Sequence, residues 1–154
     1  MVTAPLMLFT DGSAHPPSRT GFGAYLALTD TGSDAEVQLK RFENTSSSQL
    51  EIETLVWALH ALQPKAATIY TDSQNIIGLP ARRDRLEERS YLTKRNEPVK
   101  HADLYRAFFH LTDQIDCTFV KVKGHRSMRH KTDIDRLFTR VDRAARQALR
   151  DHFR

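Results

Sequence analysis

The sequence predicts an α/β fold, a mixed β-sheet with helices packed against it, and three observations carry that prediction. Apolar runs of strand length recur at residues 6–10, 22–29 and 36–42, separated by clusters of Gly, Asp, Ser and Thr that signal turns. A stretch with helical periodicity, 50–62, follows them. Another strand-like run, 67–71, comes directly after it, so strand, helix and strand succeed one another. A parallel pair joined by a right-handed crossover meets that order, and ligands gather at the carboxyl ends of such strands.

A chain of 154 residues is long enough for one domain with a proper core and too short to suggest two, so a single domain over 1–154 is expected. Hydrophobic residues make up 40% and charged residues 27%, ordinary values that exclude a membrane-spanning or disordered class. No charged leader precedes an apolar stretch, so the protein is expected to stay in the cytoplasm, off the membrane. Its one cysteine, Cys117, sits in an apolar context and reads as a buried inert thiol in a reducing compartment. The charge is asymmetric. Residues 1–72 hold 4 Lys or Arg against 8 Asp or Glu, and residues 73–154 hold 19 against 11. A basic half on a small domain is the electrostatic footprint of a nucleic-acid binder.

The elements can be justified in order. Residues 6–10 (LMLFT) form a continuous apolar run that ends in Asp11-Gly12-Ser13, which reads as a strand entering a turn. An ionised carboxylate at the end of a buried strand is expensive unless a cation neutralises it. The runs FGAYLALT at 22–29 and EVQLKRF at 36–42 alternate, as antiparallel partners of the first strand would, with a turn at Asp30-Thr31-Gly32-Ser33-Asp34. A polar segment, 44–49, then opens onto the helix. Ser48 followed by Glu51 has the form of a capping box, which would explain Glu51 as a helix-start residue. Glu51 also shares its face with Leu55 and Ala58, however, and an inward glutamate needs a partner.

Residues 67–71 (ATIYT) end in Asp72-Ser73-Gln74, repeating the first pattern of strand followed by aspartate. Asp11 and Asp72 would then lie side by side, where two carboxylates repel unless a cation lies between them. The segment 78–100 is basic, with Arg82, Arg83, Arg85, Arg89, Lys94, Arg95 and Lys100, and reads as a short helix and a loop projecting from the domain. Helical periodicity returns over 101–115, where Tyr105, Phe108 and Phe109 are read as core. Residues 117–123 (CTFVKVK) alternate as a strand, Gly124-His125 ends it, and from Thr132 the chain reads as one long or broken helix carrying Asp133, Asp135 and Asp142.

Taken in order, the segments FTDGS, GFGAYL, SSSQLEIETLVWAL, YTDSQ, VKGH and VDRAARQAL resemble type 1 ribonuclease H over nearly the whole chain. Each motif is weak alone. The ordered set of three acids, a histidine and a further acid on the right elements is specific. The resemblance implies a ribonuclease H-like fold, a five-stranded mixed sheet flanked by helices with a carboxylate cluster at its centre. It implies an endonuclease that cuts the RNA strand of an RNA–DNA hybrid with two Mg2+ ions, Mn2+ being able to stand in, leaving a 5′-phosphate and a 3′-hydroxyl. Hard oxygen ligands suit such ions, and two of them about 4 Å apart can serve an in-line displacement.

Carried over residue by residue, Asp11, Glu51 and Asp72 would hold the metals and His125 would assist proton movement or product release. The fourth acid is Asp142 by its local pattern, VDRAAR, or Asp135 by its distance from His125; the first is favoured. Ser46, Ser47 and Ser48 occupy the hybrid-binding loop, where family members carry asparagines, and Gln74 matches a glutamine that touches the minor groove. A monomer is expected. The competing reading is a non-cleaving nucleic-acid-binding module on the same fold, which would gain nothing from four carboxylates near phosphates. A 3′-exonuclease of related fold would show two acids one residue apart on the first strand, where this chain has Asp11-Gly12-Ser13.

Overall fold

The computed structural model of the chain describes residues 4–123 and 132–154. Its elements are β1 (Leu6–His15), β2 (Thr20–Leu28), β3 (Gln38–Phe42), α1 (Ser47–Leu62), β4 (Ala66–Thr71), α2 (Gln74–Glu88), α3 (Ala102–Gln114), β5 (Asp116–Lys121) and α4 (Asp133–His152). The five strands form one sheet in the order β3-β2-β1-β4-β5. Pairing is antiparallel among β1, β2 and β3 and parallel among β1, β4 and β5. The mixed sheet, the meander and the crossover through α1 therefore stand as the residue pattern predicts.

Because successive strand residues point to opposite faces, β1 and β4 feed two separate cores. Leu8 and Ile69 point to the face covered by α1 and α3, where Ile52, Leu55, Leu59 and Phe108 are fully buried with them. Phe9 and Tyr70 point to the other face, under α4 alone, where Leu26, Leu28, Val141 and Ala145 close the smaller core. Fully burying one such large apolar side chain stabilises the fold by about 1.5–3 kcal/mol. The aromatics Tyr105, Phe108 and Phe109 of α3 are all buried, as expected of core residues.

β3 starts at Gln38 rather than at residue 36 and β5 ends at Lys121 rather than at residue 123, and three further readings are corrected by the structure. The first strand does not stop at Thr10: β1 continues through Asp11, Gly12 and Ser13 to His15, paired throughout with β2, and the turn falls at residues 16–19 with Arg19 at φ 57°. Gly12 faces Gly23 across the strands. A methyl on Gly12 would meet Leu50 of α1 and one on Gly23 would meet Thr54, so these glycines admit a helix to the sheet rather than make a turn. Ser48 does not cap α1. Ser46 does, its Oγ accepting from the Gln49 N–H at 3.3 Å, so the proposed box of Ser48 with Glu51 is absent and Glu51 lies inside the helix.

The basic segment is the third correction. The helix begins at Gln74, not near Gly78, and runs on through Pro80 to Glu88, because Ile76 and Leu79 are buried and carry it across the missing N–H. The loop beyond it does not simply project: Tyr91 is buried under the Arg106 guanidinium, 4.3 Å from its ring centroid, and Val99 packs against the larger core. The last helix is unbroken. Cys117 is half-buried, and burial pushes its thiol up to about 11, consistent with an inert side chain.

Candidate active site

The site is assembled by strand register. Phe9 of β1 pairs directly with Tyr70 of β4, and their rings stack at 4.7 Å. Two residues further along the chain come Asp11, still in β1, and Asp72, one residue past the end of β4, and the charge of Asp72 acts on Asp11. The face of Phe9 and Tyr70 is the one covered by α4. Asp142, midway along α4, reaches Asp11 closely enough to raise that carboxyl's affinity for its proton. Glu51 enters from the opposite face, one turn into α1.

Electrostatics register how crowded these acids are. Asp11 is pushed up to about 8, first by burial, then by the Asp142 hydrogen bond and the charge of Asp72. Glu51 is raised by burial and by Asp72, against a lowering hydrogen bond from Ser73. The Ser73 Oγ donates to Glu51 Oε2 at 2.6 Å while accepting from the Ile76 N–H at 3.1 Å, so one buried hydroxyl both caps α2 and fixes the glutamate. Asp142 also pairs with Arg146 one turn on, at 3.1 Å. Among the described residues, no three His, Cys, Asp or Glu side chains close around a point tightly enough to hold an ion as they stand. With Glu51 turned to Ser73 and Asp142 to Arg146, the carboxylates are engaged by neutral and cationic neighbours within the protein. A hard-oxygen donor set whose members raise one another's affinity for protons is what a divalent cation relieves, so the residues fit such an ion.

Asp135 stands apart from this group. It is buried at the third position of α4, where its Oδ2 accepts from the Thr132 N–H at 3.0 Å and the Thr132 Oγ accepts from the Asp135 N–H at 3.2 Å, a reciprocal capping box. Seven residues separate it from Asp142, about 10 Å along a helix. Ser46, Ser47 and Ser48 form the start of α1 and line a groove of about 440 Å³ with Ala14, Pro16, Arg19 and Thr45. Gln74 opens α2, exposed, its Oε1 accepting from Lys121 Nζ at 2.7 Å. His125 lies outside the described residues. Sequence reasoning missed Ser73, Arg19 and Lys121. An Asp-Ser pair before a helix is a capping signal that could have found Ser73, whereas nothing local marks the other two.

A family model described as RNase H matches residues 3–150, nearly the whole chain. The chain belongs to the RNase H family. Among curated relatives, the Ribonuclease H of Lachnoclostridium phytofermentans is 29% identical over 125 residues, covering 77% of this chain and 79% of its own. The Ribonuclease H of Zymomonas mobilis is 32% identical over 123 residues, covering 78% and 77%. Among solved structures, a chain from the foamy viral protease-reverse transcriptase in complex with dsDNA superposes with a TM-score of 0.66 at 14% identity, over 89% of this chain and 93% of that one. The shared fold is thus the RNase H sheet and helices. No helix among the described residues is long and apolar enough to cross a membrane.

Proposed function

We propose that this RNase H family member is an endonuclease that hydrolyses the RNA strand of RNA–DNA hybrids, leaving a 5′-phosphate and a 3′-hydroxyl. The observation that carries the reading is the Asp72 and Asp142 carboxylates brought within interaction range of Asp11, with Glu51 interacting with Asp72 from the far side. Asp11, Glu51, Asp72 and Asp142 would hold two Mg2+ ions, with Asp135 left to its cap. When bound, the ions supply acidified water and stabilise charge on the leaving oxygen.

The chain's own groups do the rest. Ser73 holds Glu51 in place by donating to its carboxylate. The exposed N–H groups at the start of α1, with Ser46, Ser47, Ser48 and Arg19, present donors to a backbone phosphate or a ribose 2′-hydroxyl. His125, outside the described residues, is the candidate to assist proton movement or product release. The basic groove lined by Arg82, Arg85, Arg89 and Lys94, about 460 Å³, supplies sequence-independent attraction for the duplex.

The test is to incubate labelled RNA–DNA hybrid, the two homoduplexes and the single strands with protein and Mg2+. Cutting is expected only within the RNA of the hybrid, abolished by chelator and by Asp11→Asn. Hybrid binding with no cleavage by the unmodified protein would instead identify a non-cleaving binding module.

A further inference from the structure

Lys121 is the last residue of β5 and pairs in register with Thr71, the residue before Asp72. It therefore stands at the carboxyl end of the sheet beside the acids. It has no carboxylate partner among the described residues, and its Nζ donates instead to Gln74 Oε1 at 2.7 Å. That short distance marks a charge-assisted bond. A glutamine amide is nearly symmetric in shape, so which end faces outward is settled by its neighbours. An ammonium carries three donors and no acceptor, so only the amide oxygen can face Lys121. The Nε2 end, with its two donors, is turned away, at the exposed start of α2 two residues from Asp72.

We propose that Lys121 is a positioning residue that presets the Gln74 side chain as a donor-only probe of a nucleic-acid minor groove. The inference rests on the nuclease reading above and on the minor-groove contact that the family resemblance implies for Gln74, and adds what sets the orientation of its amide. Every base pair offers acceptors in the minor groove, whereas only G·C adds a donor, the guanine N2 amino group. An outward NH2 therefore finds an acceptor at any base pair, and the contact does not depend on sequence. An outward carbonyl would find a base partner only at guanine.

Lys121→Met, Lys121→Glu and Gln74→Ala, singly and combined, test this in hybrid cleavage with mapped cut positions. Lys121→Met is expected to raise KM about threefold to tenfold with the effect carried in KM rather than kcat, the loss of roughly one hydrogen bond. Lys121→Glu should hold the amide by its nitrogen instead, turning the oxygen outward and concentrating the cuts beside guanines. Neither change should have a further effect once Gln74 is alanine. An equal KM increase from Lys121→Met with and without Gln74 would overturn the proposal, because Lys121 would then be acting on phosphate directly. A cut pattern unchanged by Lys121→Glu would overturn it as well. The side-chain amide resonances of Gln74, followed by NMR without substrate, give an independent reading. They should move in Lys121→Met, and their failure to move sinks this inference alone, whereas absence of hybrid cleavage by the unmodified protein sinks the nuclease reading.

Discussion

The two faces of the sheet are built unequally. On one, α1 and α3, with α2 alongside, cover a core that buries Leu8, Ile52, Leu55, Leu59, Ile69 and Phe108 completely. On the other, α4 alone covers a smaller core of Phe9, Leu26, Leu28, Val141 and Ala145. Asp11, Asp72 and Asp142 all belong to the thinner face, and only Glu51 comes from the thicker one. Apolar burial and the acid cluster are thus largely segregated, so a change in one should be separable from a change in the other.

The largest effect expected of such a separation is on activity. Asp142→Asn should lower hybrid cleavage by at least about 100-fold while leaving thermal stability near that of the unmodified protein, since it removes a ligand and a crowded charge but no packing. Asp135→Asn should do the reverse, keeping most of the activity and weakening α4 by about 1 kcal/mol through its cap, readable by denaturant unfolding. If Asp135→Asn were the inactive variant, the assignment of the fourth acid would be reversed.

Next in size is the thick core. Phe108→Ala should cost about 3–5 kcal/mol of stability, with activity per folded molecule retained, because Phe108 lies across the sheet from the three aspartates. Loss of activity in step with the mutation at temperatures where the protein is still folded would show that the two faces are coupled after all.

The remaining effect, on stability alone, is a dependence on pH. Asp11 sits near 8 in the folded, metal-free protein against an ordinary value of 3.8. The folded state then holds a proton that the unfolded chain has released, so this contribution favours folding fully below pH 4 and is lost as pH rises through 8. In chelator, the stability of the unmodified protein relative to Asp11→Asn should fall between pH 5 and pH 8. A flat difference would mean that the acids are less crowded than their placement implies.

Much of the architecture was legible because it is written in periodicity. Alternation in 22–29 and 117–123 marked strands, the spacing of Leu55, Ala58, Leu59 and Leu62 marked α1, and the repeated strand-then-aspartate pattern brought Asp11 and Asp72 together. What failed was chemistry that has two local meanings. Asp11-Gly12 reads as a turn from composition, yet Gly12 is there to admit Leu50, a contact from nearly forty residues away. Ser48 and Glu51 have the spacing of a capping box, but the chain enters the helix two residues earlier and Ser73 takes the glutamate instead. Asp135 and Asp142 are equivalent in residue type and share a helix face, and their different surroundings emerge only once α4 is docked and its first turn capped.

Phe9 and Tyr70, whose rings stack, close the β1–β4 ladder two residues before Asp11 and Asp72. The approach of Asp72 to Asp11 consequently starts from the roughly 4.8 Å spacing of main-chain pairing, rather than from how any side chain happens to nest. Repacking either core leaves that gauge untouched, so the opening between the acids is a dimension the sequence can drift around without altering. Only sliding one strand against its neighbour would reset it.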